Sequence, residues 1–214
     1  MDNFQSLKIE VKPDMKSEKA VLTAMVEFAN THVANIHPDQ VGDVKNCISE
    51  AFSNAVTHGF PDGRDGIISV KMQIRNKHLV TVTVKDNGNG IADIAQAQQA
   101  FFTTGSKDHG GMGFTIMESF SNKLTVRSGP GKGTDVVMTF DFRPALKEGM
   151  TVYLSGDSAA MGIKDYNVRV RSAATVKRTP NKSDKMVLLR IDHIDGEQNV
   201  LAFVKRSAIR YEEV

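Results

Sequence analysis

Residues 5–11 (QSLKIEV) alternate polar and apolar side chains, the period of a strand with one face buried, and Pro13-Asp14 then offers a break and a helix start. Val21, Ala24, Met25 and Phe28 recur at helical spacing, which predicts a first helix running to about residue 34. A second helix is expected from Pro38-Asp39 to about His58, with Gly59 ending it. Its apolar stripe is Val41, Val44, Ile48, Phe52 and Ala55, while Glu50 and Asn54 lie on the opposite side, stacked one turn apart. Two alternating runs, 67–75 and 78–86, meet at Asn76-Lys77 and predict a tight hairpin. A third helix is expected from near Gly113 through FTIMESF (114–120), followed by strands at 123–128 and 134–142 around the turn GPGKG (129–133). The order β-α-α-β-β-loop-α-β-β predicts an α+β fold, a two-layer α/β sandwich with helices on one face of a mostly antiparallel sheet.

The rhythm changes at Arg143-Pro144. Beyond it, short β-type runs at 150–154, 166–173, 185–194 and 200–204 are separated by turn segments such as TPNKSD and DGEQ. The chain is therefore expected to divide into residues 1–143 and a small all-β barrel at 144–214, SH3-like by analogy of pattern.

Composition narrows the classes. The 214 residues are 40% hydrophobic, ordinary for a globular protein, and no apolar run approaches the roughly 20 residues that cross a bilayer. The first ten residues lack an apolar signal core, so a cytoplasmic protein without a membrane partner is expected. Cys47 is the only cysteine, which excludes an internal disulfide and fits a small buried helix residue. The formal charge of +2 is too small to imply nucleic-acid binding, and the surplus sits after residue 143. There Arg169, Arg171, Lys177, Arg178, Lys182 and Lys185 lack interleaved aromatics, so they read as a solvated face and no direct nucleic-acid contact is expected.

Four segments carry chemistry. Glu50 and Asn54 occupy a helix face turned away from the apolar stripe, which is either solvent or the floor of a site. In VKDNGNGI (84–91), Asp86 ends a strand and can accept a hydrogen bond from an amino group on a flat base; Gly88 and Gly90 allow a sharp turn and leave room for a ring. In HGGMGFTIMESF (109–120), Gly110, Gly111 and Gly113 directly precede a helix, where backbone N–H groups and the helix dipole favour phosphate oxygens. The fourth segment, GPGKGT (129–134), is on its own no more than a β-turn.

Taken together and in this order, the four segments resemble the ATP-binding domain shared by gyrase, the heat-shock chaperone, histidine kinases and MutL, the GHKL superfamily with its Bergerat-type fold. ISEAFSNAVTHG (48–59) corresponds to its Asn box, and DNGNGI (86–91), GGMGF (110–114) and GKGT (131–134) to its three Gly boxes. More narrowly, SEAFSNAVTHGF (49–60), DIAQAQQAFFTTG (93–105) and GMGFTIMESF (111–120) are similar to the anti-sigma-F serine kinases, regulators of sporulation sigma factors. The likeness covers about 5–142 and leaves the C-terminal extension unrecognised.

The resemblance implies ATP or ADP with Mg²⁺. Asn54 would bind the metal, Glu50 would serve as general base on a protein hydroxyl, and Asp86 would meet the adenine amine with support from Thr134. Gly88, Gly90 and Ile91 would shape the base pocket. Gly111, Met112, Gly113 and Phe114 would form the phosphate side, and residues of about 92–110, with Phe101, Thr103, Thr104 and Lys107, a lid. It further implies a sigma factor and an anti-anti-sigma protein as partners, phosphorylation of a serine on the latter, and a homodimer. One departure stands out. Where that branch carries Arg shortly before the second Gly box, this chain has His109, which lacks a permanent guanidinium fork for the γ-phosphate unless Lys107 compensates. The alternative reading is a nucleotide-dependent regulatory binding protein with weak or no kinase activity.

Overall fold

The structure is a computed structural model, and it describes residues 4–98, 112–143, 145–163, 166, 168–181 and 184–211. The chain forms two compact units, Met1–Phe142 and Arg143–Val214.

In the first unit, β1 (Phe4–Val11) is followed by a 3₁₀ turn at Met15–Ser17, where the Asp14 carboxylate accepts from the Lys16 N–H at 2.9 Å. Helix α1 (Glu18–His32) buries Val21, Met25 and Ala29, one residue per turn. Helix α2 (Pro38–Asn54) begins with Pro38 and a reciprocal cap: the His37 N–H donates to Gln40 at 2.9 Å, and the Asp39 N–H donates to His37 Nδ1 at 3.3 Å. Its buried face is wider than the predicted stripe, because Cys47 and Ala51 join Val44, Ile48 and Phe52, while Val41 is only half-buried and the buried Ala55 lies just past its end. Residues Ala55–Gly59 do not extend the α-helix to His58 but widen into a single π turn, a departure with a consequence for the site.

Strands β2 (Ile68–Arg75) and β3 (Leu79–Asp86) form the predicted hairpin, with Asn76 and Lys77 both at positive φ (51° and 58°). A short helix α3 (Ile94–Ala97), helix α4 (Gly113–Phe120), β4 (Lys123–Ser128) and β5 (Thr134–Asp141) complete the unit. The sheet order is β1-β2-β3-β5-β4, every recorded neighbour pair antiparallel. Val70 pairs with Val84, and Val84 with Val136; Met72 pairs with Val82, and Val82 with Met138. These inward residues meet Met25, Ile48, Phe52 and Met117 in one core. The result is the two-layer α/β sandwich expected from the pattern, with helices covering one face.

The second unit contains β6 (Thr151–Asp157), a one-turn α5 (Ser158–Met161), β7 (Arg169–Val176), β8 (Met186–Ile194), β9 (Glu197–Lys205), a 3₁₀ turn at Arg206–Ala208 and β10 (Ile209–Arg210). Its antiparallel order is β10-β6-β7-β8-β9 around a core that includes Leu154, Val170, Leu189 and Val204. Among the described residues no ladder joins β9 to β10, so the sheet is open rather than the closed barrel expected from the strand rhythm. Asp195 and Gly196 alone make the β8–β9 turn, at φ 49° and 82°, so Glu197 and Gln198 of the expected turn DGEQ belong to a strand. Among the described residues no helix is long and apolar enough to cross a membrane.

Candidate functional site

The ends of α2, β3 and β5 meet the start of α4 around a cavity of about 940 Å³. Glu50, Asn54, Asp86, Gly90, Ile91, Met112, Gly113, Phe114 and Thr134 line it, so residues up to 84 positions apart in sequence share one wall. Gly88 adjoins the same wall through Asp86. Thr103, Thr104, Lys107, His109 and Gly111 lie outside the described residues, as does most of the expected lid. Of its described part, residues 92–98, Ala92, Asp93, Gln96 and Ala97 line the cavity, and the Asp93 carboxylate caps α3 by accepting the Gln96 N–H at 2.9 Å.

Asp86 is the buried carboxylate of the lining. It is 4% exposed, and its Oδ1 accepts the N–H of Gly88 at 2.8 Å and that of Thr134 at 3.3 Å. Burial pushes its carboxyl above the ordinary 3.8, and those two donors pull part of the way back. With Oδ1 engaged, Oδ2 is the oxygen left to meet a donor from the cavity.

The Gly boxes act differently from their sequence reading. Gly88 and Gly90 were expected to leave room for a ring, but the space a Cβ would take is filled by the protein itself. A Cβ on Gly88 would lie 2.4 Å from the Gly59 carbonyl oxygen, and one on Gly90 2.0 Å from that of Gly129. Gly133, at φ 71°, is held as closely against the Asp86 carbonyl. Their smallness lets three loops close on one another. The π turn delivers the Gly59 carbonyl to the Asn89 N–H at 2.9 Å, and the Asn89 carbonyl accepts from Gly131 at 2.7 Å. The sequence marks Gly59 as a helix stop and the last residue of the Asn box, but nothing local marks the widened turn.

Glu50 and Asn54 face the start of α4. A Cβ on Gly113 would stand 2.9 Å from Glu50 Oε2 and 3.1 Å from Asn54 Nδ2, so the helix begins in direct contact with both side chains. A half-buried carboxylate, an amide and a helix N-terminus thus converge at one end of the cavity. At the rim, the Ser49 hydroxyl donates to the Glu18 carboxylate, and both residues also line the cavity. Ser128, not singled out by the sequence, ties the other end together. Its Oγ accepts the Ile91 N–H at 2.8 Å, donates to the Gly133 carbonyl at 2.7 Å and lies 3.0 Å from the Thr134 hydroxyl. Its only sequence signal is a polar side chain six residues before Thr134 on the facing strand.

A two-layer sandwich with acceptors at one end of a cavity and a Gly-led helix start at the other defines a class, and comparison with known proteins agrees. The family described as "Histidine kinase-like ATPase domain" matches residues 13–140, and the chain belongs to that family. Within it, the chain is similar to proteins named anti-sigma F factor. That of Bacillus velezensis is 35% identical over 136 residues, 60% of this chain and 92% of the relative. That of a Thermoanaerobacter species is 36% identical over 142 residues, 65% of this chain and 95% of the relative. Among solved structures, the RsbU and RsbW domains of Rv1364c from Mycobacterium tuberculosis match with TM-score 0.48 and 20% identity, over 65% of this chain and 33% of that one. The family match ends before Arg143–Val214 begins.

Proposed function

We propose that the protein is an anti-sigma factor and an ATP-dependent serine kinase, which binds a sigma factor and phosphorylates a serine on an anti-anti-sigma partner. The observation that carries the reading is that two polar groups line one cavity: a buried Asp86 bonded to Thr134 forms its base end, and Asn54 and Glu50, both against Gly113 at the α4 N-terminus, its phosphate end. The first end suits the exocyclic amine of adenine, and the second suits phosphates with a hard cation. The residues fit ATP or ADP, because the loop contacts at Gly88, Gly90 and Gly133 preform the base wall without filling the cavity. When bound, Mg²⁺·ATP supplies the phosphoryl group and neutralises its charge. Mg²⁺ is ordinarily held by one or two protein oxygens plus phosphates and water, and Asn54 supplies such an oxygen.

The chain's own contribution is binding, orientation and a base. Asp86 and Thr134 hold the base end, while Gly113 and Met112 present the start of α4 to the phosphates. Glu50, in contact with Gly113, would accept the proton of an incoming serine hydroxyl. Similarity to the anti-sigma F factors supports the choice of partners, the cytoplasm as location, and a homodimer.

Arg143–Val214 is proposed as a separate regulatory domain. The order β10-β6-β7-β8-β9, with a 3₁₀ turn before the last strand, supports an SH3-like relation. Edge strand β9 leaves Leu201 and Phe203 62% and 57% exposed, which supports a partner contact there.

The test is a single-turnover transfer of γ-labelled phosphate from ATP to an anti-anti-sigma protein, alongside capture of sigma factor by the same preparation. The expected result is transfer that falls by about 10²–10⁴-fold in Glu50→Gln, with nucleotide affinity kept. Capture of sigma factor without transfer would replace the kinase reading by that of a nucleotide-dependent binding protein. Full transfer by Glu50→Gln would place the base elsewhere.

A further inference from the structure

Ser128 has one hydroxyl hydrogen and two lone pairs, and the structure accounts for all three. The hydrogen goes to the Gly133 carbonyl at 2.7 Å, and one lone pair receives the Ile91 N–H at 2.8 Å. The remaining lone pair faces Thr134 Oγ1 at 3.0 Å. Since the Ser128 hydrogen is already committed, the hydrogen in that contact must come from Thr134. The Thr134 oxygen, on a residue that lines the cavity, is then left with lone pairs alone. Asp86 beside it has its Oδ1 saturated by two backbone N–H groups, so this corner presents acceptors alone.

We infer that Ser128 is a positioning residue that fixes the Thr134 hydroxyl as a hydrogen-bond acceptor and thereby selects a purine carrying an exocyclic amine over one carrying a carbonyl. The inference rests on the nucleotide reading above. A carbonyl at that position would set lone pairs against lone pairs, and the Thr134 hydroxyl could not rotate to donate without breaking its bond to Ser128. Ser128 thus controls a choice made several ångströms away without touching the ligand.

The experiment measures Kd by calorimetry on the full chain for Mg·ATP and for Mg·inosine triphosphate, which carries a carbonyl in place of the amine. Wild type should prefer ATP. In Ser128→Ala the Thr134 hydroxyl is released and can donate, so the preference should shrink by about tenfold, one unit on the logarithmic affinity scale. Ser128→Thr keeps the hydroxyl and should restore the preference. Equal weakening of both nucleotides in Ser128→Ala, with the ratio unchanged, would show a merely structural role and overturn the inference. If Ser128→Ala fails to fold, Ser128→Cys, of similar volume but poor hydrogen bonding, must show the same narrowing, and an unchanged ratio there overturns it equally. Wild type binding both nucleotides alike would also overturn it. Wild type binding neither would instead reject the nucleotide reading itself.

Discussion

Asp86 shows how one buried group can burden the fold while serving the site. Burial raises its carboxyl above 3.8, so the folded chain holds this proton more tightly than the unfolded chain does. The sign follows: stability falls as pH rises from the unfolded value through the raised folded value, and the penalty is fully present above that. Asp86→Asn removes the charge yet keeps an oxygen for the Gly88 and Thr134 N–H groups. The unliganded variant should therefore gain stability relative to wild type at pH 7 compared with pH 3.5. Urea titrations at the two pH values measure this, and a relative loss at neutral pH would show that the carboxylate supports the fold. Cys47 follows the same physics without a function. Burial, then Asp43 and Glu50, push its thiol up to about 12, so a thiol reagent at pH 8 should leave the native protein unlabelled and react fully in denaturant. At this scale the sequence exposed Asp86, Asn54 and Glu50, because a strand-ending Asp before glycines and a polar pair on an apolar helix are local signals. Ser128 and the Gly59 carbonyl were hidden, since their roles exist only where separate loops touch.

Among the elements, alternation and helical spacing carried furthest where burial is one-sided. Val80, Val82 and Val84 alternate with half-buried threonines, and β3 runs from Leu79 to Asp86 within one residue of expectation. Patterns failed where an element was too short to show a period. The single turn α5 is stopped by Gly162 at φ 76° and capped by Asp157, and the two-residue β10 is defined only by pairing with β6. The barrel expectation failed for a related reason: strand rhythm reports how many strands there are, not whether the last closes on the first. The π turn and the Gly boxes act as one joint, which gives a prediction for Gly133→Ala. A Cβ there would lie 2.0 Å from the Asp86 carbonyl oxygen in a left-handed backbone. The left-handed strain alone is worth about 1–2 kcal/mol, and the clash should carry the total cost beyond it. Urea denaturation checks this, and a cost under about 0.5 kcal/mol, the range of neutral surface changes, would show that the loops are not locked together.

For the whole molecule, the division at Phe142–Arg143 and the family match to residues 13–140 make separable roles the natural reading. A chain ending at Arg143 should fold, keep its nucleotide affinity and lose a partner contact; a folded product without affinity would make the second unit part of the site. The proposed homodimer should give a light-scattering mass near twice 23.4 kDa at micromolar concentration, and a mass at the monomer value would contradict it. The most direct test is calorimetry of the intact protein with Mg·ATP against Asn54→Ala and Asp86→Asn. Saturable Mg²⁺-dependent binding is expected, with a loss of about 1–3 kcal/mol in Asp86→Asn, the scale of an unsatisfied buried polar group, and a weakened Mg²⁺ dependence in Asn54→Ala. Affinity unchanged in both variants would contradict it.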